Sequence, residues 1–284
     1  MSTAAELLDA YHRQVRGVLP VTQPEGVTVD RDGPLLRVSG GKHWGYVEYR
    51  DLAGLTGPAL DELIERTRAY FGSRGERFEW KTHSYDEPAD LPARLTAAGF
   101  SPGEAETVVV GLAEELTGEP QLPDAVRIRR VSEPADFDRI GALHTEIWNE
   151  DWTWLAADLA ERQANSPDHL AIFAAEAGPQ MISVAWLVRD PGSEFATLWG
   201  GATRPEWRGK GIYRALVARR ARFAVSTGAR YLQVDASDDS APILQRLGFV
   251  AVATTTPYLW TPPQSRPEQP PGQAAAEQPS TLGR

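Results

Sequence analysis

Cysteine is absent from the 284-residue chain, which excludes disulfides, thiolate nucleophiles and zinc–thiolate sites. No apolar run approaches the ~20 residues that a membrane-spanning helix needs. The start, Met1-Ser2-Thr3-Ala4-Ala5-Glu6, lacks the basic region and apolar stretch of a signal peptide. A soluble, cytoplasmic protein with no membrane partner is expected. Positive charge is also short: 29 Lys and Arg stand against 39 Asp and Glu, a formal net charge of −10. That balance does not build the positive field that non-specific nucleic-acid binding requires. Acidity keeps a chain soluble and also favours a cationic small molecule, and composition does not separate these readings. The five histidines are scattered: His12, His43, His83 and His169 read as surface or packing residues. His144 and Glu146 stand two apart on a predicted helix and so do not share a face, and no metal site is expected.

What is there is globular, with 42% apolar and 24% charged residues. The length allows two domains with a core each. Upstream of Glu119-Pro120-Gln121-Leu122-Pro123, a helix is predicted from Ala4 to Val15. Short strands follow around the Asp32-Gly33 turn and at Trp44–Tyr49. Leu60, Leu63, Ile64, Thr67 and Phe71 repeat at helical spacing. A strand at 78–81, a helix at 89–98 and a strand at 107–111 close this half. Downstream, a strand at 126–129, helices at 134–148 and 155–164, and three strands at 169–175, 182–189 and 195–199 are predicted. A helix at 213–226, a strand at 231–234, a short helix at 241–247 and a strand pair at 250–258 complete it. Strands before a helix, then strand–helix–strand, imply an α/β fold with a mixed sheet. The halves echo each other, since Arg77-Phe78-Glu79-Trp80 leads to Ala98-Gly99-Phe100 as Arg230-Tyr231-Leu232-Gln233 leads to Leu247-Gly248-Phe249. A duplicated fold is the expectation. The division is 1–120, 121–263 and a disordered tail, 264–284, rich in Pro, Gln, Gly and Ala.

The most informative stretch is Thr203-Arg204-Pro205-Glu206-Trp207-Arg208-Gly209-Lys210-Gly211-Ile212-Tyr213-Arg214, between a predicted strand and helix. Such a loop aims backbone N–H groups and the positive end of the helix dipole at an anion. Glycines let the backbone come close to phosphate oxygens, and the basic residues add charge-assisted donors. A P-loop is excluded because Lys210 is followed by Gly211 rather than Ser or Thr. A dinucleotide fingerprint is excluded because the third glycine position holds Arg214.

The order of strand 196–203, this loop, a helix, Tyr231-Leu232-Gln233-Val234-Asp235 and Gln245-Arg246-Leu247-Gly248-Phe249 resembles the GNAT superfamily of N-acetyltransferases over roughly residues 126–261. The resemblance implies acetyl-CoA as co-substrate and direct transfer of its acetyl group to a primary amine of a small molecule or peptide, in a ternary complex. It assigns Gly201, Ala202 and Thr203 to the pantetheine arm and thioester. It assigns Arg208, Gly209, Lys210, Gly211, Tyr213 and Arg214 to the pyrophosphate, with Ser237 beside the coenzyme channel. Tyr213 stands where the family carries Gly or Ala. The first half has no counterpart of this loop, because Arg50-Asp51-Leu52-Ala53-Gly54-Leu55-Thr56-Gly57 has one basic residue. It is therefore expected to be a degenerate GNAT-like domain that packs against the active half and walls the acceptor pocket.

The proton-handling groups depart from the family pattern. Thr197 stands where many relatives carry a glutamate, Leu244 where many carry a tyrosine acid, and Ser237 where an asparagine is common. Tyr258 and Tyr213 are substitute candidates for the acid, and each also reads as a packing tyrosine. For the base, Glu150 or Asp151 in Glu146-Ile147-Trp148-Asn149-Glu150-Asp151-Trp152-Thr153-Trp154 is expected to border the acceptor, where tryptophans add cation–π contact. The same residues also read as an acidic helix start capped by Asp151. Because of these departures, a second reading stays open: an acyl-CoA-binding regulatory module with little or no turnover. Assembly stays open between monomer and homodimer.

Overall fold

A computed structural model describes residues 3–19, 23, 25–41, 44–189 and 192–263. The predicted tail and His43 lie outside the described residues. The first half runs α1 (Ala4–Gln14), β1 (Thr28–Asp32), β2 (Leu35–Ser39), β3 (Gly45–Glu48), α2 (Gly57–Gly72), β4 (Phe78–His83), α3 (Leu91–Ala97), β5 (Ser101–Pro102) and β6 (Glu106–Leu112). The second runs β7 (Val126–Val131), α4 (Pro134–Trp148), α5 (Trp154–Asn165), β8 (Leu170–Ala177), β9 (Gln180–Arg189), β10 (Phe195–Thr203), α6 (Ile212–Ser226), β11 (Tyr231–Ala236), α7 (Ala241–Arg246) and β12 (Val250–Trp260).

Local chemistry accounts for the helices. Thr3 and Glu6 form a capping box on α1: the Glu6 N–H donates to Thr3 Oγ1 at 3.2 Å, and the Thr3 N–H donates to Glu6 Oε2 at 2.8 Å. A cap of this kind is worth about 1 kcal/mol. In α2 the predicted stripe, Leu60, Leu63, Ile64, Thr67 and Phe71, is buried as a set. It packs under the sheet with Phe78, Trp80, Leu91 and Leu95, and each such side chain contributes about 1.5–3 kcal/mol by leaving water.

The strands form one mixed sheet in the order β1-β2-β3-β4-β12-β6-β11-β10-β9-β8-β7, with β5 beside β12. The order crosses the two halves. First-half strand β6 lies between β11 and β12, and second-half strand β12 lies between β4 and β6. Each half thus completes its sheet with the last strand of the other. The predicted strand pair at 250–258 is instead a single 11-residue strand, β12, with a register shift between Ala251 and Ala253. It is long because it must pair with β6 at one end and β4 at the other. Helix α1 covers the seam, burying Leu7 and Tyr11 against Val108 and Val110 of β6, Phe195 of β10 and Tyr231 of β11. Helices α4 and α5 cover the same face over β8–β10, and α6 and α7 cover the opposite face.

Candidate active site

Strands β10 and β11 run parallel for only three residue pairs, Phe195↔Tyr231, Ala196↔Leu232 and Thr197↔Gln233. Beyond Thr197, β10 stays with β9 and β11 stays with β6. The strands part, and a wedge opens whose facing edges carry backbone N–H and C=O groups that need partners. At its mouth the chain leaves β10 at Thr203, turns through Pro205–Trp207 and enters α6 through Gly211, whose φ is 78°. That left-handed entry suits glycine. No side chain caps α6, so the N–H groups of its first turn are open to an anion.

The predicted cradle residues are brought together here. Arg208 donates from Nε to the Thr203 carbonyl at 3.1 Å, tying the loop to the end of β10. Lys210 lies 4.8 Å from the Trp207 ring centroid, and Arg208, Gly209, Lys210 and Arg214 are all exposed. Arg214 also lines a cleft of about 440 Å³ with Val217, Ala218, Leu247 and the connecting segment Gly118–Gln121. Arg222 holds that segment by donating to the carbonyls of Thr117 and Gly118, each at 2.9 Å.

Tyr213, the departure from the family motif, is compensated on β10. A register shift between Trp199 and Ala202 makes a bulge. A Cβ on Gly201 would lie 3.1 Å from the Tyr213 ring, and one on Gly200 would lie 1.8 Å from the Trp186 ring. Two adjacent glycines therefore admit an aromatic ring against each face of the bulge. Ala202 is buried beside them under α4 and α5, and Thr203 shares a 2.7 Å hydrogen bond with Ser183. Beneath Tyr213 the helix carries a buried arginine. Arg219 is exposed, and Arg220, 2% exposed, points inward. Its Nη1 donates to the Trp186 carbonyl at 3.2 Å, next to the bulge. Its Nη2 has no hydrogen-bond partner among the described residues, and burial, opposed by the neighbouring Tyr213, lowers its pKa to about 10, still charged at neutral pH. The helix rotation that seats Ala221 and Ala224 in the core decides between the two arginines.

One of the predicted acid candidates, Tyr258, is held away from the wedge. β12 carries Tyr258 away from it, since β6 separates β12 from β11. Tyr258 is buried in the first-half core with Trp80 and Phe100, so its role there is packing. Asp151 accepts from the Thr153 N–H at 2.9 Å and hydroxyl at 2.6 Å. Those bonds lower its proton affinity, which fits a turn before α5 better than a base. Glu150 is exposed. Glu146 is ion-paired with Arg204. Ser237 closes the turn before α7, its carbonyl accepting from Ser240 and Ala241.

The first half repeats the geometry and blocks it. β3 and β4 also run parallel for three pairs, Gly45↔Phe78, Tyr46↔Glu79 and Val47↔Trp80. Beyond them, Arg16 from the end of α1 fills the gap. It donates to Asp86 at 2.6 Å and to the Tyr49 carbonyl at 3.3 Å, and stacks over Tyr49 at 4.7 Å. The pair is buried, with 2% and 6% side-chain exposure, so side chains of this half occupy the gap.

Two features escaped the sequence reading. His144 on α4 is 4% exposed and packs against Trp152 and Trp186. Burial lowers its pKa to about 4, opposed by the nearby Gly200 backbone, so it is neutral at physiological pH. The second feature is a cavity of about 360 Å³ on the α1 face of the sheet, at the seam. From the second half come Thr197 and Trp199 of β10 and Gln233 and Asp235 of β11. From the first come Tyr46 and Glu48 of β3 and Glu79, Lys81 and His83 of β4. Lys81 crosses the seam to Asp235 at 3.0 Å and also pairs with Glu106 at 3.2 Å. Burial opposes its charge, but Asp235, Glu106 and Glu79 outweigh it and hold the ammonium protonated. Local spacing held no signal for either feature, because the partners come from distant strands.

Residues 137–249 match the model of the Acetyltransferase (GNAT) family. No curated protein matches the chain. Among solved structures, a GCN5-related N-acetyltransferase from Kribbella flavida is similar, with a TM-score of 0.69 and 16% identity over 91% of this chain and 95% of that one. A tandem GNAT protein from the clavulanic acid biosynthesis pathway gives 0.61 and 13% over 93% and 96%. A protein of unknown function from Staphylococcus epidermidis ATCC 12228 gives 0.62 and 14% over 89% and 97%. At these identities the structures speak for the fold, which is the GNAT fold in tandem form.

Proposed function

We propose, from the premise that residues 137–249 form an acetyltransferase domain of the GNAT family, that the chain moves an acetyl group from acetyl-CoA to a primary amine by direct transfer. The observation that carries this reading is the wedge between β10 and β11, ending at the uncapped N-terminus of α6. The first-turn N–H groups of α6, with Arg208, Lys210 and Arg214, would take the pyrophosphate. The edge Gly201–Thr203 would take the pantetheine arm, and backbone donors beside the bulge would polarise the thioester carbonyl. The acceptor nitrogen loses a proton and attacks the carbonyl carbon. The C–N bond forms, the C–S bond breaks, and the thiolate takes up a proton. Holding both substrates in one site supplies much of the acceleration. The division into 1–120 and 121–263 enters this reading as two interlocked units rather than two separable ones.

Calorimetric titration with acetyl-CoA, followed by thiol release with a panel of amines, tests the proposal. Arg208→Glu replaces a charge-assisted donor by a repelling carboxylate, and coenzyme affinity should fall at least tenfold with the fold unchanged. Unchanged affinity would sink the cradle. Coenzyme binding without turnover of any amine would favour the regulatory-module reading.

A further inference from the structure

The seam cavity holds cation-binding groups that its own ion pairs leave unused. Among its charged lining residues, Arg16 is paired with Asp86, Arg162 with Asp158, and Lys81 with Asp235 and Glu106. Glu48 and Glu79 have no ion-pair partner among the described residues. Glu48 receives the Gly17 N–H, and burial still pushes its carboxyl up to about 7. Burial also raises Glu79, with Lys81 opposing. His83 stands beside them, bonded through Nε2 to the Tyr11 hydroxyl at 3.0 Å, with its Nδ1 buried and without a partner among the described residues. Burial and the neighbouring Arg16 keep that imidazole neutral. Carboxylates held in a half-buried cavity regain stability when a cation arrives, so Glu48 and Glu79 describe a cation's end of a binding site.

The other end is the wedge. Thr197 is the last β10 residue paired with β11, and Gln233 its partner. Asp235 follows on β11, and all three line the cavity. Glu79 on β4 is four strand spacings from β10, roughly 19 Å along a flat sheet. The concave face shortens this, since Lys81 of β4 reaches Asp235 of β11 at 3.0 Å. A single ammonium cannot occupy both ends, and a volume of about 360 Å³ is at the small-molecule end of ligand pockets.

We propose that this cavity is the acceptor site and that it selects a small amine with a second cationic group, held by Glu48 and Glu79 of the first half while the reacting nitrogen faces the wedge. This rests on the acetyl-transfer reading and assigns the first half the choice of acceptor. The second cation does not react; its role is to place the first one.

The test compares 1,4-diaminobutane with butylamine as acceptors, measuring kcat/KM by thiol release at saturating acetyl-CoA. The expected diamine preference is at least tenfold, and Glu48→Gln with Glu79→Gln should bring the ratio close to one. Glu62→Gln, an exposed carboxylate on α2, should leave it in place. Calorimetry of 1,4-diaminobutane on the protein saturated with CoA should show tenfold weaker binding in the double variant. Retained CoA affinity reports that the variant is folded. A wild-type ratio near one, or a preference that survives the double substitution, overturns this assignment and leaves acetyl transfer standing. Absence of thiol release by the wild type with every amine overturns the acetyl-transfer reading, and this one with it.

Discussion

Replacing Gly200 by alanine probes whether the β10 bulge is shaped by the rings pressed against it. The new Cβ would lie 1.8 and 1.9 Å from two atoms of the Trp186 ring, against the roughly 3.5–4.0 Å at which carbon atoms rest. Ring or strand must therefore yield by about 2 Å. The indole has little room, because it is buried against His144 with ring centroids 5.8 Å apart. Overpacking of this kind costs about 1–3 kcal/mol. Gly200 also has φ 60°, which adds about 1 kcal/mol for alanine. The expected loss is about 2–4 kcal/mol, a large share of a typical stability of roughly 5–15 kcal/mol. Gly178→Ala separates the two terms, because Gly178 has φ 59° and nothing within 4 Å of its added Cβ. Urea denaturation should show Gly200→Ala losing about 1–3 kcal/mol more than Gly178→Ala. Trp186→Leu should cost less in the Gly200→Ala background than alone, since the smaller side chain removes the overlap. Equal destabilisation by the two glycine substitutions would refute the steric argument.

Three further outcomes follow from the same geometry. Arg16→Met should destabilise by about 3–5 kcal/mol by leaving Asp86 buried and unpaired, and Arg16→Met with Asp86→Leu should recover much of that loss in thermal unfolding. Glu48 is a carboxyl whose folded value, about 7, lies above its ordinary value of 4.5. The folded state then holds the extra proton between these values, and stability contributed by the protonated form is lost as pH rises through them. Arg16, Lys81 and the Gly17 N–H oppose that rise, while burial and Asp235 drive it. Glu48→Gln should therefore raise the unfolding free energy at pH 8 by up to about 3 kcal/mol, read by urea denaturation, and change it little at pH 4; the reverse order would show that Glu48 is held charged. Fragments 1–120 and 121–263, expressed separately, should each lack cooperative unfolding by circular dichroism and gain it on mixing, because each sheet lacks its exchanged strand; independent cooperative folding of either one would contradict the interlock.

Much of this protein follows from local sequence. The helical stripe of α2 and the Gly-rich loop entering α6 are local in the chain, and each appears where its spacing places it. Arg208, Gly209, Lys210, Gly211 and Arg214 come together for the same reason, since they lie within seven consecutive residues. A single residue of helix rotation separates the exposed Arg219 from the buried Arg220, and local spacing does not set it. Other decisions belong to the tertiary structure alone. Nothing near Tyr258 announces that β12 leaves its own half and takes the ring into the core around Trp80. Nothing near Lys81 announces Asp235, 154 positions away. A strand's backbone can pair with any other strand, and side-chain alternation does not say which. Sequence therefore determined the elements and the Gly-rich loop entering α6, while the exchange of final strands decided which side chains share the seam cavity.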